Sequence, residues 1–338
     1  MDHGLTTSRR MLLAGGALGA VALAGCTKAA APVETAQTPL WNAEYVAMKG
    51  PVKLQMYRRR EGEPKAGEPA KPVIMLVHGS SLSALSTYDL GVPGEDYSMM
   101  NFLARAGYDV FTMDHENYGK SSRTSSNSDI ASGADDLVAA MGVITKETGK
   151  TKVHFFGESA GAIRIGFFEN QHPEMVDRMI LGAFTYTGKE APTLIARAKR
   201  IDEWRASNVR KRDREMIESI FTRDGGPPTA SRPAIEALIK QELAYGDTAP
   251  TGTYIDMSVN LPLVDPGKVK APTMLIRGLI DQNSTMAEHY EFFDKLQMNL
   301  KQLNVIPGGH ALASGAGYRQ LHHAIDAFLT MPAEGVAT

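Results

Sequence analysis

The sequence predicts an α/β fold: a mostly parallel central sheet flanked by helices, with an inserted helical cap. Three observations support this prediction: short continuous apolar runs, helical patterns that alternate with them, and one long stretch where the alternation stops. A continuous apolar run is typical of a strand buried on both faces of a parallel sheet. Strands that alternate with helices favour parallel order, because each crossover helix returns the chain to the same end of the sheet.

The first predicted strand differs from those that follow. Residues 52–58 alternate apolar and polar side chains, as a half-buried antiparallel strand does, and a charged Pro/Gly-rich loop or hairpin follows at 61–71. Residues 73–77 (Val-Ile-Met-Leu-Val) are apolar throughout and predict a central strand. The remaining predicted strands are 108–113, 152–156, 179–183, 273–276 and 302–306.

Helical spacing of apolar residues fills the intervals between these strands. The predicted core helices are 97–106, 130–148, 160–170, 285–296 and 317–329. The alternation stops in residues 186–258, where three helices and no strand are predicted (191–206, 208–222 and 231–245). This predicted cap divides the core domain into the segments 44–185 and 259–332.

The first 26 residues have the pattern of an export signal. Ser8-Arg9-Arg10-Met11-Leu12-Leu13 resembles a twin-arginine signal, and the apolar segment 11–25 is shorter than the roughly 20 residues of a membrane-spanning helix. Leu23-Ala24-Gly25-Cys26 resembles the lipobox of bacterial lipoproteins, which implies acylation of Cys26 and a membrane tether without a spanning helix. The resemblance implies an exported protein, periplasmic or lipid-anchored. A cleaved signal peptide in which Cys26 is incidental is the alternative.

Residues 27–43 are rich in Ala, Pro and Thr and predict a flexible linker.

Composition also argues against several kinds of site and of function. Cys26 is the only cysteine, so the chain forms no internal disulfide and no cysteine-based metal site. A net charge of −2 does not favour nucleic-acid binding. With no metal-ligand cluster or phosphate-binding glycine loop in the sequence, neither a metal nor a cofactor is predicted, and the oligomeric state is left open.

The pentapeptide Gly157-Glu158-Ser159-Ala160-Gly161 is the most informative motif of the chain. It lies between the predicted strand 152–156 and the predicted helix 160–170. A serine in a strained turn at the end of a strand projects its hydroxyl away from the sheet. Glycines on either side remove the Cβ atoms that would prevent close packing of helix and strand.

In this context the motif resembles the nucleophile elbow of the α/β-hydrolase superfamily, and the resemblance covers residues 45–330. It implies that a catalytic acid and a histidine follow the nucleophile Ser159 in that order. Asp281 follows the strand 273–276 in a Gly-x-x-Asp turn, and His310 follows the last strand after two glycines. Two earlier aspartates, Asp256 and Asp265, are interpreted as turn residues.

The resemblance assigns a role to each residue. His310 accepts the proton of Ser159 and later donates it to the leaving group, while Asp281 orients and stabilises the histidine ring. Two backbone N–H groups bind the oxyanion. The resemblance assigns these to Ala160, after the nucleophile, and to Ser80, in the turn His78-Gly79-Ser80-Ser81.

Serine at the elbow predicts acyl transfer, and hydrolysis of a small-molecule carboxylic ester is the primary interpretation. Dehalogenases and epoxide hydrolases of the superfamily are disfavoured because they carry aspartate there. Thioesterase, carbon–carbon bond hydrolase, peptidase and acyltransferase activities use the same residues and stay open, as does a non-catalytic binding protein. Residues 197–214 hold eight Lys/Arg against three Asp/Glu. They indicate either solvated helix faces or contact with an anionic substrate or anionic lipid headgroups.

Overall fold

The computed structural model describes residues 38–332 of the chain. Within this range the strands are numbered in chain order as follows: β1 Leu40–Lys49, β2 Val52–Glu61, β3 Val73–Val77, β4 Gly91–Val92, β5 Glu95–Asp96, β6 Asp109–Met113, β7 Val153–Glu158, β8 Val176–Gly182, β9 Val209–Lys211, β10 Thr248–Pro250, β11 Thr273–Gly278 and β12 Lys301–Ile306.

The α-helices are likewise numbered along the chain. They are α1 Ala84–Tyr88, α2 Met99–Arg105, α3 Ile130–Thr148, α4 Ala160–Gln171, α5 Pro192–Ala198, α6 Ile201–Arg205, α7 Arg214–Ser219, α8 Arg232–Leu243, α9 Gly252–Ile255, α10 Met286–Lys295 and α11 Tyr318–Thr330. A 3₁₀-helix at Pro173–Met175 and a π-helix at Asp256–Asn260 complete the list.

One sheet of eight strands organises the core, in the order β1-β2-β6-β3-β7-β8-β11-β12. The pairs β1–β2 and β2–β6 are antiparallel, and every other neighbouring pair in this sheet is parallel. The predicted α/β fold with a mostly parallel sheet is therefore confirmed. The apolar runs were informative because the central parallel strands are fully buried, which requires sequences that are apolar throughout.

Helices cover both faces of the sheet, and the alternation of side chains along each strand divides the core in two. In β3, Met75 and Val77 pack into one apolar cluster together with α3 and α4. Ile74 and Leu76 pack into the opposite cluster with α2 and α11.

Helix α3 shows how local sequence sets the ends of an element. The Asp129 side chain caps its start by accepting the backbone N–H of Ser132 at 2.8 Å. Gly149 ends it in the left-handed conformation, with φ 73°. The predicted bounds of 130–148 are confirmed.

The predicted linker, residues 27–43, extends too far along the chain, because strand β1 begins at Leu40. Residues 40–43 belong to β1 instead and pair with the end of β2, from Leu40 opposite Glu61 onwards. The strand is at the sheet edge and only partly buried, so its sequence lacks a strong apolar pattern. The predicted signal peptide, Cys26 and the rest of the linker up to residue 37 lie outside the described residues.

The segment 186–258, predicted as an all-helical cap, contains a short antiparallel ribbon of β9 and β10. The predicted helix 208–222 is therefore wrong in its first half: residues 209–211 form β9, and the helix begins only at Arg214, after the cap residue Asp213. The predicted helix 191–206 is divided into α5 and α6, whereas 231–245 corresponds to α8. The role of the segment as a cap stays a prediction. Of the helices in residues 38–332, none is long and apolar enough to cross a membrane.

Candidate active site

Four parallel strands bring the predicted site residues to one edge of the sheet. Strands β3, β7, β11 and β12 all point the same way, so the loops that follow them meet at their carboxyl ends. Those loops carry Ser80, Ser159, Asp281 and His310, respectively. Ser80, Ser159 and His310 line a common pocket.

Ser159 occupies a strained turn between β7 and α4. Its φ of 59° and ψ of −123° are unusual for a residue with a side chain, and its N–H donates to the carbonyl of Gly182 at 2.8 Å. Glycines allow this geometry: a Cβ on Gly161 would lie 2.0 Å from the carbonyl oxygen of Val77. A Cβ on Gly157 would lie 2.6 Å from the backbone of Gly161. The elbow therefore requires glycine on both sides of the serine.

Gly161→Ala is expected to lower the free energy of unfolding by about 3 kcal/mol or more, because the new methyl group overlaps the backbone of β3. Urea unfolding followed by circular dichroism measures the change. Gly142→Ala is the matched control, since a Cβ on this exposed glycine of α3 would have no neighbouring atom within 4 Å. There alanine should raise stability by up to about 1 kcal/mol through helix propensity. Equal effects at both positions would contradict the steric explanation.

Ser159, His310 and Asp281 form a continuous hydrogen-bonded chain. The distance from Nε2 of His310 to Oγ of Ser159 is 2.9 Å, and Nδ1 of His310 lies 3.0 Å from Oδ1 of Asp281. All three side chains are buried. Burial opposes ionisation of Asp281, but His310 and the N–H of Asn283 hold the pKa of this carboxyl below its usual value. The acid is therefore charged and oriented towards the imidazole.

The other two aspartates considered from sequence lie elsewhere. Asp256 accepts the backbone N–H of Ile130 at 2.8 Å, and Asp265 accepts that of Gly267 at 2.9 Å. Both bonds belong to turns and helix starts.

The residues predicted for the oxyanion hole lie next to Ser159. Ala160 is the first residue of α4, so its N–H has no acceptor within the helix. Within residues 38–332, no hydrogen bond uses the N–H of Ser80. The carbonyl of Ser80 is held by the hydroxyl of Tyr118 and by Nη2 of Arg210, each at 3.0 Å. These bonds fix the turn and leave both N–H groups available for a developing oxyanion.

The His78 side chain helps to hold this turn in place through hydrogen bonds. Its Nδ1 lies 2.9 Å from the carbonyl oxygen of Gly79, and its Nε2 accepts the N–H of His115 at 3.1 Å. Because one nitrogen donates and the other accepts, the ring is neutral, and burial keeps its pKa well below the usual value. Arg164 adds a bond to the carbonyl of His78 at 3.2 Å.

Glu158, the residue before Ser159, lies in the pocket wall, and the elbow motif allows any residue at this position. Its carboxyl group accepts the N–H of Ala313 at 2.9 Å. Burial raises the pKa of Glu158 to about 7, against smaller opposing contributions from hydrogen bonds and from His310. The group is therefore largely protonated in weak acid and ionises near neutrality.

Glu158→Gln is expected to remove a pH-dependent loss of stability. Since the folded-state pKa of about 7 lies above the ordinary value of 4.5, the wild type is relatively most stable below pH 4.5. Its free energy of unfolding falls by up to about 3 kcal/mol as the pH rises through 7. In urea unfolding, the stability of the variant should therefore rise relative to that of the wild type between pH 5 and pH 8. Glu95→Gln, at an exposed position, should show no such gain. A pH-independent difference for Glu158→Gln would contradict the raised pKa.

Asp224, which lies in the 186–258 segment, reaches the two loops that carry His310 and Asp281. Its Oδ2 accepts the backbone N–H of His310 at 2.8 Å, and its Oδ1 accepts that of Gln282 at 3.3 Å. A Cβ on Gly309 would lie 2.1 Å from the same carboxylate. No sequence pattern indicates this role, because an aspartate before two glycines is typical of any turn.

The comparisons with known proteins agree with this architecture. Residues 68–313 match the family model described as "Serine aminopeptidase, S33". The chain belongs to this family. No curated protein sequence matched it.

Solved structures extend the likeness of this S33-family chain to the fold. A 2-hydroxy-6-oxo-6-phenylhexa-2,4-dienoate hydrolase from a Rhodococcus species has a TM-score of 0.63 at 16% identity, covering 87% of this chain and 100% of that one. A thermophilic esterase from Thermogutta terrifontis has a TM-score of 0.58 at 17% identity, covering 86% and 98%. A bacterial membrane phospholipase A has a TM-score of 0.61 at 17% identity, covering 85% and 86%. At these identities the likeness shows the α/β-hydrolase fold.

The acidic and histidine side chains of the S33-family chain do not gather into a metal centre in its described part. From residue 38 to residue 332, no group of three or more His, Cys, Asp or Glu side chains is arranged to hold a metal ion.

Proposed function

We propose that this S33-family protein hydrolyses a carboxylic ester through an acyl-enzyme on Ser159. The observation that carries the proposal is the chain Ser159–His310–Asp281 at 2.9 and 3.0 Å, built on a strained elbow. The strained backbone at this serine destabilises the fold, and such strain is typical of functional sites. A base within hydrogen-bond distance can activate the serine hydroxyl as a nucleophile.

In the first half-reaction, Oγ of Ser159 attacks the ester carbonyl carbon while Nε2 of His310 takes the hydroxyl proton. The carbonyl oxygen becomes an oxyanion, which the N–H groups of Ser80 and Ala160 stabilise. The carbon–oxygen bond to the alcohol then breaks, and His310 returns the proton to the departing alkoxide. Asp281 stabilises the imidazolium in between.

In the second half-reaction, water replaces the alcohol. His310 takes a proton from the water as it attacks the acyl carbon, and the tetrahedral intermediate expels Oγ of Ser159, which regains its proton from His310. The products are the carboxylic acid and the free enzyme. The same residues would serve a thioester or an acceptor alcohol, so the choice of ester rests on the breadth of ester chemistry among proteins with this fold.

An aminopeptidase, which the family description suggests, is less well supported by the pocket. An aminopeptidase must bind the ammonium group of its substrate's amino terminus, and a carboxylate is the usual partner for a cation. Here the pocket is lined by Arg197 and Arg223, and burial favours the neutral form of its one carboxyl group, that of Glu158. This charge pattern repels an ammonium group.

Two assays test the proposal. A fluorophosphonate probe should label the wild type and not the Ser159→Ala variant. A panel of 4-nitrophenyl esters, acyl thioesters and aminoacyl 4-nitroanilides should then give the highest kcat/KM with an ester. Absence of labelling in folded protein would overturn the serine-hydrolase mechanism, whereas labelling with a preference for thioester or anilide would overturn the ester assignment alone.

We further propose that the protein is exported and tethered to a membrane through acylated Cys26. The support is the sequence pattern Leu23-Ala24-Gly25-Cys26 after the arginine pair. Cys26→Ser should release the protein from the membrane fraction of cells. A wild type found entirely in the soluble fraction would contradict the lipid anchor.

A further inference from the structure

Two arginines of the 186–258 segment line the pocket with guanidinium groups that have neither a hydrogen-bond acceptor nor a carboxylate partner within residues 38–332. Arg197 in α5 and Arg223 after α7 line it together with Ser159 and His310. Each guanidinium carries five N–H donors. Within residues 38–332, neither of these two guanidinium groups donates a hydrogen bond or lies within 4.0 Å of a carboxylate. Nε of Arg223 is buried without an acceptor. Other arginines of the segment do have carboxylate partners, which are Glu203 for Arg200, Glu242 for Arg212, Glu236 for Arg214 and Glu218 for Arg232.

The surroundings make this end of the pocket strongly positive. Tyr254 is buried with the guanidinium carbons of Arg197 and Arg210 at 4.1 and 3.8 Å from its ring centre. Burial alone would raise the pKa of Tyr254, but Arg197, Arg210 and Arg223 together lower it to about 6. Above that pKa one phenolate faces three guanidinium groups, so this end of the pocket keeps a net positive charge that favours an anionic ligand.

Arg210 is already committed to the protein. Its Nη2 donates to the carbonyl of Ser80 at 3.0 Å and lies 2.9 Å from the hydroxyl of Ser81, so it holds the oxyanion turn. Arg197 and Arg223 have no such bonds. They also line two further clefts, which share both arginines with the pocket that holds Ser159.

We infer that Arg197 and Arg223 bind an anionic group, a carboxylate or a phosphate, on the substrate that Ser159 attacks. The inference rests on the proposed function and narrows it to esters that carry an anionic group on the acyl or the alcohol side. Guanidinium groups match the planar geometry of carboxylate and phosphate oxygens, and partial burial strengthens such bonds. Glu158 and Asp281 are the acidic groups on the nucleophile's side, the first favoured as neutral by burial and the second engaged by His310.

Matched ester pairs test the inference. In mono-4-nitrophenyl adipate and 4-acetoxybenzoate the anion lies on the acyl and the alcohol side, respectively, and their methyl esters are the neutral partners. The Arg197→Gln/Arg223→Gln variant should lower the ratio of kcat/KM for anionic over neutral ester roughly tenfold or more for at least one pair. Lysine at both positions should restore part of the ratio. Arg232→Gln, which removes an exposed, paired arginine, should leave it unchanged.

Binding distinguishes this inference from the mechanism. Calorimetry on the Ser159→Ala protein should detect binding of adipate or of inorganic phosphate. Adding the double arginine substitution should lower the affinity for that ligand at least tenfold. The ligand that binds shows whether the site prefers a carboxylate or a phosphate. If neither ligand binds and the ester ratios do not change, while fluorophosphonate still labels the wild type, the anion site is wrong and the hydrolase mechanism stands. If labelling fails but binding depends on the two arginines, the hydrolase mechanism is wrong and the anion site stands.

Discussion

Ser159→Ala is expected to lower kcat by a factor on the order of 10⁴–10⁶ while leaving the fold intact. The substitution removes the Oγ atom that lies 2.9 Å from Nε2 of His310, and with it the proposed covalent intermediate. The alanine keeps the Cβ atom of the serine, so the strain of the elbow at φ 59° is unchanged. Steady-state hydrolysis of 4-nitrophenyl acetate measures kcat, and circular dichroism with thermal unfolding establishes that the variant is folded.

The matched control is Ser125→Ala, which removes an exposed hydroxyl. It should leave kcat within about twofold, as is usual for a surface substitution. A folded Ser159→Ala protein with wild-type turnover would exclude Ser159 as the nucleophile.

Asp281→Asn should lower kcat by about 10⁴ with little change in KM. An asparagine amide can donate to Nδ1 of His310, which places the ring proton on Nε2. That nitrogen can then no longer accept the proton of Ser159. The measurement is again steady-state kinetics, now as a function of pH, because partial recovery is expected where hydroxide can substitute for the missing base.

Asp294→Asn serves as the control for the loss of one carboxylate, since this residue is exposed in α10. It should behave as the wild type. If Asp281→Asn retained most of the activity, Asp281 would not be the group that orients the histidine.

The fold could be predicted from sequence because its strongest signals are local. The apolar run at 73–77 and the helix 130–148, with Asp129 before it and Gly149 after it, reproduce the observed bounds. Strand β1 escaped prediction because it lies at the sheet edge, where one strand partner and solvent demand no continuous apolar run. Strand β9 escaped because three residues are too short to show a period.

The predicted site residues come together for a similar reason. Ser159, Asp281 and His310 each lie within a few residues of the end of a strand, and these parallel strands end at one edge of the sheet. The three residues were identified through the resemblance to the α/β-hydrolase superfamily and not from the strand pattern alone. The contributions of Arg197, Asp224 and Arg210 could not be predicted in this way. Their positions depend on how the 186–258 segment packs on the core, and the sequence carries no periodic signal for a contact between Asp224 and a backbone N–H some 86 positions further on.

The bond from Asp224 to the N–H of His310 has a consequence for how such sequences can diverge. Residues that line a substrate pocket are expected to vary as substrates change, but the 186–258 segment also holds the histidine loop through Asp224. A Cβ at position 309 would lie 2.1 Å from Oδ2 of Asp224, so a larger residue there would displace the carboxylate from the N–H of His310. We therefore expect positions 224 and 309 to covary among homologues. A graft of a foreign segment in place of 186–258 should cost turnover even where the new pocket fits its substrate, unless the graft brings its own acceptor for that N–H.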